Sequence, residues 1–393
     1  MSDPLRMKAA VLHEFGTPLR VEEVLLDPPH AGEVLVRVAA AGVCHSDLRL
    51  AEGGLGHERK PIVLGHEGAG VVEAVGEGVP DLAVGDHVGF SINPACGTCR
   101  FCREGKPTLC ERAGANSGHG NLMDGTTRLR LGDGRPLKHF LFVSCFAEHC
   151  VVPAASALRV PGALPLWQAA LIGCAVVTGV GAVRNVARVR LGDTVCVIGC
   201  GGVGLQVVAA ARLSGAGQII AVDRSREKLE RALAAGATET VDASTDDAVR
   251  AVLKLSGGGV DHAIEVVGIA ATIRQAWDVL RPGGSAVVVG LAPVGLEVPI
   301  PAIEFLSDKS LKGCFYGSGN PAADIPELAA LAAAGRFSVA ESVSHFTGLD
   351  GINDAFERMN QGIGARTIVV IDASLAGVPP SPQRTTAPAS PPS

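Results

Sequence analysis

The chain has 393 residues, more than one compact core organises, so two domains are expected. Its 34 basic and 40 acidic residues leave a net charge of −6, without the basic surplus that binds nucleic acid or anionic lipid, and small-molecule chemistry fits better. Fifty glycines against one Tyr and two Trp suit an α/β protein rich in tight turns.

Met1 to Lys8 is charged and lacks the apolar stretch of a secretory leader, so none is expected and the cytoplasm is the default location. Apolar runs such as Thr194 to Ala211 are interrupted by glycines and require no membrane span. In that setting the eleven cysteines read as metal ligands or reduced thiols rather than a disulfide framework.

From Lys8 to Val38 the pattern is short strands with polar turns at Asp27 to His30 and at Ala31-Gly32. Val34, Val36 and Val38 alternate with Leu35 and Arg37, a strand with one face buried, and Gly42 lets the backbone turn into Cys44-His45-Ser46-Asp47. The apolar Ile62-Val63-Leu64 leads into Gly65-His66-Glu67. A thiolate and an imidazole suit a borderline-soft ion such as Zn²⁺, although Cys44 and His66 alone are weak evidence, since a free cysteine is usually a small buried hydrophobe. Cys96, Cys99 and Cys102, with Cys110 eight residues later, have the density of a closed tetrahedral thiolate site; four unrelated thiols or two disulfides form the competing reading. Ala113 to His139 reads as a long polar, Gly-rich loop, functional or interfacial. Phe140 to Val152 rejoins the first domain, and helical sequence from Leu166 to Ala170 leads to Cys174, Thr178 and Gly179.

A buried parallel-type strand, Thr194 to Ile198, is followed by Gly199-Cys200-Gly201-Gly202-Val203-Gly204 and then a helix through Leu213. Gly199, Gly201 and Gly204 therefore stand in the strand-turn-helix setting that seats a pyrophosphate on a helix N-terminus. The next strand, Gln218 to Val222, ends on Asp223, whose carboxylate suits ribose hydroxyls and repels a 2′-phosphate. NAD is favoured over NADP, tempered by the neighbouring Arg224. Strands at Val260 to Val267, Ser285 to Val289 and Leu311 to Phe315, with a helix from Ala271 to Leu280, predict a doubly wound parallel sheet. Helices at Pro321 to Gly335 and Ile352 to Gln361 precede a strand from Thr367 to Ile371. Residues Ala373 to Ser393, rich in Pro, Ser, Ala and Thr, read as disordered.

The run Gly65-His66-Glu67-Gly68-Ala69-Gly70, continued by Gly76 and Val79, resembles the signature of zinc-dependent alcohol dehydrogenases of the medium-chain dehydrogenase/reductase superfamily, long-chain type, and the likeness extends from Met7 to Asp372. The resemblance implies a Rossmann-type doubly wound domain (177–316) inserted into a mostly-β GroES-like catalytic domain (1–176 and 317–372), with a structural zinc lobe near 92–112. It assigns Cys44, His66 and Cys174 to a catalytic zinc with Glu67 as an occasional ligand, and Cys96, Cys99, Cys102 and Cys110 to a structural one. Asp47 would orient His66, and Ser46 would relay the alcohol proton. Cofactor contacts would come from His45, Thr178, Gly199, Gly201, Gly202, Val203, Gly204, Asp223, Arg224, Lys228, Val267, Val289 and Arg366. Ser46, Ile92, Phe140 and Val294 would shape a mostly apolar pocket for aliphatic, allylic or aryl primary alcohols.

Two departures stand out. Many relatives end the proton relay on a histidine where this chain has Arg49, which is no base at neutral pH. The thiol-dependent formaldehyde dehydrogenase branch holds a glutathione carboxylate with an arginine where this chain has Gly114, so the free-alcohol reading leads and the S-hydroxymethyl-thiol reading is the alternative. A zinc-free reductase of the same superfamily and a non-catalytic nucleotide-binding protein are further alternatives. The resemblance also implies a homodimer, or a homotetramer, joined at the cofactor-sheet edge near Leu296 to Ile303.

Overall fold

A computed structural model describes residues 3–55 and 60–378. The chain forms three sheets, and the central strand of the largest, Glu33–Gly42, leads directly into Cys44. Its order is Ala157–Arg159, His87–Phe90, Glu67–Val75, Glu33–Gly42, Arg366–Val370, Val343–Gly348, with His149–Pro153 also paired to Glu33–Gly42. Val34, Val36 and Val38 are fully buried while Leu35 and Arg37 are partly exposed, as the alternation predicts. Register does the assembling: Gly42 faces Glu67 on one side and Ile368 on the other, so the Cys44 and His66 segments and Arg366 meet at one end of the sheet.

A five-stranded sheet, ordered Leu129–Leu131, Arg20–Leu26, Leu5–Leu12, Ile62–Val63, Lys138–His139, covers the N-terminal half. The third sheet is wholly parallel: Glu239–Asp242, Gln218–Asp223, Thr194–Ile198, Val260–Glu265, Leu280–Val288, Ser310–Gly313. Its chain order reverses between Thr194–Ile198 and Val260–Glu265, the switch point where such sheets bind ligands beyond their C-terminal ends. These sheets are the Rossmann-type domain and the GroES-like domain that the sequence predicts.

The two domains are joined by a helix from Leu166 to Ala187, which crosses the predicted boundary at 176/177 without a break and widens into π turns at Ile172–Val176 and Ala182–Ala187. It is long and apolar enough to cross a membrane, but 89% of its apolar window is buried inside the protein, so it is a core helix.

Two expectations are corrected. The stretch 113–139 is not a structureless loop: the helix Glu111–His119 and the strands Leu129–Leu131 and Lys138–His139 run through it, anchored by Arg128. That guanidinium, 1% exposed, donates to both oxygens of Glu33 at 2.8 Å and to Asp124 at 2.5 Å, and the backbone N–H of Arg128 donates to Nε2 of buried His139 at 3.2 Å. The second correction concerns the start of the tail, where Ala373–Ala376 is helical; Asp372 caps it and accepts Arg37 Nε at 2.7 Å. Residues 379–393 of the predicted disordered tail lie outside the described residues.

Burial and the neighbouring Arg128 charge push the His139 imidazole down to about 3, so it is neutral in the native state while the unfolded chain binds its proton near 6.5. The unfolded state then holds the extra proton between those values, and stability falls as pH drops below about 6.5, by up to about 1.4 kcal/mol per pH unit. We expect His139→Gln to flatten the acid limb of a denaturant-midpoint-versus-pH curve; an unchanged limb would remove His139 from the acid response.

Candidate metal centre and cofactor cleft

Three segments converge on one buried cluster. Cys44 caps the start of the helix His45–Ala51, His66 and Glu67 open the strand Glu67–Val75, and Cys174 projects from the π-widened part of the long helix. Their ligand atoms all lie within 4.8 Å of one another, and each residue is at most 9% exposed. His66 Nδ1 is 3.2 Å from the Asp47 carboxylate, which also accepts the Gly65 N–H at 2.9 Å, so the imidazole is held with Nε2 pointing into the cluster. Nε2 and both Glu67 oxygens are buried without a hydrogen-bond partner.

Crowded in one buried pocket, these groups perturb one another's protonation. A hydrogen bond from Cys174 lowers the Cys44 thiol well below its usual range, and the same bond raises Cys174. Burial carries the Glu67 carboxyl up to about 8 against the opposing pull of Arg366, whose NH2 lies 3.1 Å from Glu67 Oε1. Two sulfurs, one imidazole nitrogen and a carboxylate in one pocket match zinc, and orphaned buried donors are what a dication would satisfy.

The second cluster is Cys96, Cys99, Cys102 and Cys110, again with sulfurs within 4.8 Å of one another. The Cys99 N–H donates to Cys96 Sγ and the Cys96 N–H to Cys110 Sγ, each at 3.3 Å, backbone bonds that favour thiolates. Hydrogen bonds from Thr98 bring Cys96 down to about 6, whereas desolvation and the neighbouring thiols push Cys102 up to about 12. All eleven cysteines are free, which excludes the two-disulfide reading of this lobe.

The Gly-rich loop leaves the parallel sheet at Ile198. Gly199 adopts φ 95°, and Gly204 at the start of the helix Gly202–Leu213 packs so closely on the Gly199 carbonyl that a Cβ there has no room. At Gly201 a Cβ would meet nothing, so the loop backbone is open to a ligand. Asp223 accepts the Cys200 N–H at 2.7 Å and the Ser225 N–H at 2.9 Å, which fixes its carboxylate beside the loop, with exposed Arg224 next to it. The Arg366 side chain covers Gly202 and donates to the Val43 carbonyl at 2.8 Å, so it links loop, metal cluster and catalytic sheet. Desolvation lowers the His45 imidazole, the Cys44 charge opposes this, and Arg366, Lys228 and Arg49 reinforce it, so several positive groups face this end of the loop. Val267 and Val289 follow the ends of the strands Val260–Glu265 and Leu280–Val288, and Thr178 is buried on the long helix.

Phe140 packs edge-on to His66 at 5.4 Å between centroids, Ile92 is buried nearby, and the Ser46 hydroxyl lies 3.8 Å from Cys44 Sγ. Val294 does not join them: it is 81% exposed among the described residues. Arg49 faces Glu52 at 3.9 Å. Sequence reasoning passed over Tyr316, whose hydroxyl is buried against the backbone beside Cys174; its only signal in the sequence was that it is the one tyrosine.

Comparison with known proteins agrees with this geometry. Residues 30–162 match the alcohol dehydrogenase GroES-like domain, and residues 202–334 match the zinc-binding dehydrogenase domain. Relatives called S-(hydroxymethyl)glutathione dehydrogenase, from Synechocystis sp. and Photobacterium damsela subsp. piscicida, are 37% and 38% identical over 93% of this chain and all of their own length. Among solved structures, an alcohol dehydrogenase zinc-binding domain protein from Burkholderia ambifaria superposes with TM-score 0.90 at 38% identity, over 94% of this chain and all of its own. Benzyl alcohol dehydrogenase from Acinetobacter calcoaceticus gives 0.88 at 33%, over 93% of this chain and 99% of its own. The chain belongs to the zinc-dependent alcohol dehydrogenase family of the medium-chain dehydrogenase/reductase superfamily. It is an oxidoreductase whose cofactors are zinc and a nicotinamide dinucleotide.

We expect elemental analysis to find two zinc ions per chain. Cys102→Ser should lose one and loosen the lobe, while His66→Ala should lose the other and abolish turnover with the lobe intact. A wild-type metal count in either variant would break the corresponding assignment.

Proposed function

We propose that the chain transfers a hydride from the carbinol carbon of a primary alcohol to NAD, and the reverse, at Cys44, His66 and Cys174. The observation that carries this is the buried cluster of two sulfurs, an imidazole and a carboxylate beside an open Gly-rich loop. Cys44, His66 and Cys174 would hold a zinc ion, which would supply the Lewis acidity that eases loss of the alcohol proton, and a nicotinamide dinucleotide would supply the hydride acceptor. The chain's own residues do the rest. Asp47 orients His66, Ser46 hands the proton outward, and Glu67, paired to Arg366, stands beside the ligands as a carboxylate that can exchange with them. With Arg49 unable to act as a base, His45 is the side chain of this segment that would carry the proton onward. His45, Lys228 and Arg366 would take the pyrophosphate and Asp223 the ribose hydroxyls, which favours NAD over NADP.

The relatives called S-(hydroxymethyl)glutathione dehydrogenase support a second reading, in which the alcohol is the hydroxymethyl group of a formaldehyde–thiol adduct. They weigh more heavily than the fold alone, at 37% and 38% identity over 93% of this chain. Against glutathione itself stands Gly114, which offers no cation at the position four residues after Cys110; Arg112 on the same helix is engaged with the Met123 carbonyl at 3.1 Å. A thiol carrier other than glutathione reconciles both observations.

Reduced-nicotinamide formation by the zinc-loaded protein, with NAD and NADP side by side, separates these readings. Turnover of free aliphatic or benzylic alcohols supports the first, and turnover of formaldehyde only with a thiol supports the second. We expect Asp223→Ala to narrow the NAD preference at least tenfold, about 1.4 kcal/mol.

The chain should also pair with a second copy. The strand Ser310–Gly313 is a sheet edge, and beside it Ile303 and Leu306 are 70% and 80% exposed and Phe305 is 45% exposed. Leu306→Asp is expected to shift sedimentation toward the monomer; an unchanged profile would place the contact elsewhere. Eleven free thiols suit a reducing compartment, the cytoplasm.

A further inference from the structure

The turn that follows the last strand of the cofactor sheet reaches into the catalytic domain. Cys314 still belongs to the sheet, its N–H donating to the Val288 carbonyl at 2.9 Å. Tyr316, Gly317 and Ser318 then adopt φ of 54°, 75° and 48°, three left-handed residues in a row, two of them not glycine. Such backbone persists only where its surroundings hold it, and it concentrates at functional positions. Here the long helix holds it: Gly181 and Gly317 pack with no room for a Cβ, and Asn185 Nδ2 donates to the Gly317 carbonyl at 2.9 Å.

This backbone drives the Tyr316 side chain, 4% exposed, into the core shared by Cys174, Ile92 and Ile172. The hydroxyl donates to the Gly173 carbonyl, accepts the Ile92 N–H at 3.3 Å and lies 3.4 Å from Ser91 Oγ. Gly173 adjoins the ligand Cys174 within the π turn, where the regular helical hydrogen-bond ladder is interrupted. Ile92 lies in the pocket. One hydroxyl therefore ties the backbone beside a metal ligand to the backbone of the pocket wall, from a residue whose own main chain continues the cofactor sheet.

We propose that Tyr316 is a positioning residue: it fixes the Cys174 ligand and the Ile92 wall and transmits the seating of the cofactor domain to them. This rests on the reading that Cys44, His66 and Cys174 hold the catalytic zinc. Removing the hydroxyl takes away the bond to the Gly173 carbonyl and the bond from the Ile92 N–H, while the phenyl ring still fills the core.

The test uses Tyr316→Phe in the zinc-loaded full chain, with the cysteine-lobe zinc as internal reference. A chelator should strip the catalytic zinc about tenfold faster from the variant, in line with the usual effect of removing a residue that supports a ligand. Release from the lobe should be unchanged, and kcat should fall more than the KM for NAD rises. Since this is the chain's one tyrosine, growth on 3-fluorotyrosine puts a single ¹⁹F reporter at Tyr316 in otherwise unaltered protein, whose resonance should move on NAD binding. Wild-type release of the catalytic zinc from the Phe variant would overturn the positioning role. A ¹⁹F signal indifferent to NAD would overturn the coupling, whether or not the Phe variant folds. A wild-type chain that holds only the lobe zinc would remove the underlying site reading instead, which the metal count distinguishes.

Discussion

Everything around the site depends on one constraint: donors buried at the junction of two domains must have their charge and lone pairs satisfied. Cys44, His66, Glu67 and Cys174 sit where water cannot reach them, and His66 Nε2 and the Glu67 oxygens have no protein hydrogen-bond partner. Isolated buried charge is costly enough that a protein keeps such a cluster only when something compensates it. Arg366 supplies part of the balance through Glu67, and a dication held by the cluster would supply the rest. The cluster is thus both the chemical centre and the element whose assembly requires strand, helix and return segment to be in place together.

The surrounding architecture follows from that requirement. The strand pairing Gly42 with Glu67 and Ile368 brings two motifs from the first half beside an arginine from near the chain's end. The long helix delivers Cys174 from below and continues into the cofactor domain, so the metal cluster and the Gly-rich loop share a rigid support. Arg366 then covers Gly202, which places loop and cluster within reach of one guanidinium. Preorganisation of this kind lets a fold position a dinucleotide against a metal-bound substrate without large rearrangement at each turnover.

The same physics explains the remainder of the first domain. Arg128 is buried, yet it anchors a segment whose composition reads as loop, because one guanidinium bridges Glu33 and Asp124 across three elements. The cysteine lobe has little apolar core of its own, so thiolates around a cation replace the burial that a larger unit would use.

Much of this was legible in the sequence. The glycines after Thr194–Ile198, the acidic end of Gln218–Asp223 and the spacing of Cys96, Cys99, Cys102 and Cys110 are local signals, since the turn, the helix start and the tetrahedral site are each built from neighbouring residues. What depends on distant partners was not legible. Cys174 joins the ligand set only by resemblance, because it lies more than a hundred positions beyond Glu67 and no periodicity records their contact. The helix and strands within 113–139 do not show in the sequence because the apolar residues that pack there are few and scattered, and a buried arginine ties the segment to Glu33 far along the chain. Tyr316 carries no motif; its hydroxyl meets Gly173 only once the left-handed turn and the π-widened helix are packed together. Sequence alone determined which chemistries the chain can host, because ligand types and turn glycines are properties of residues. Tertiary structure decided which of them meet, because long-range contact is set by strand register and helix packing.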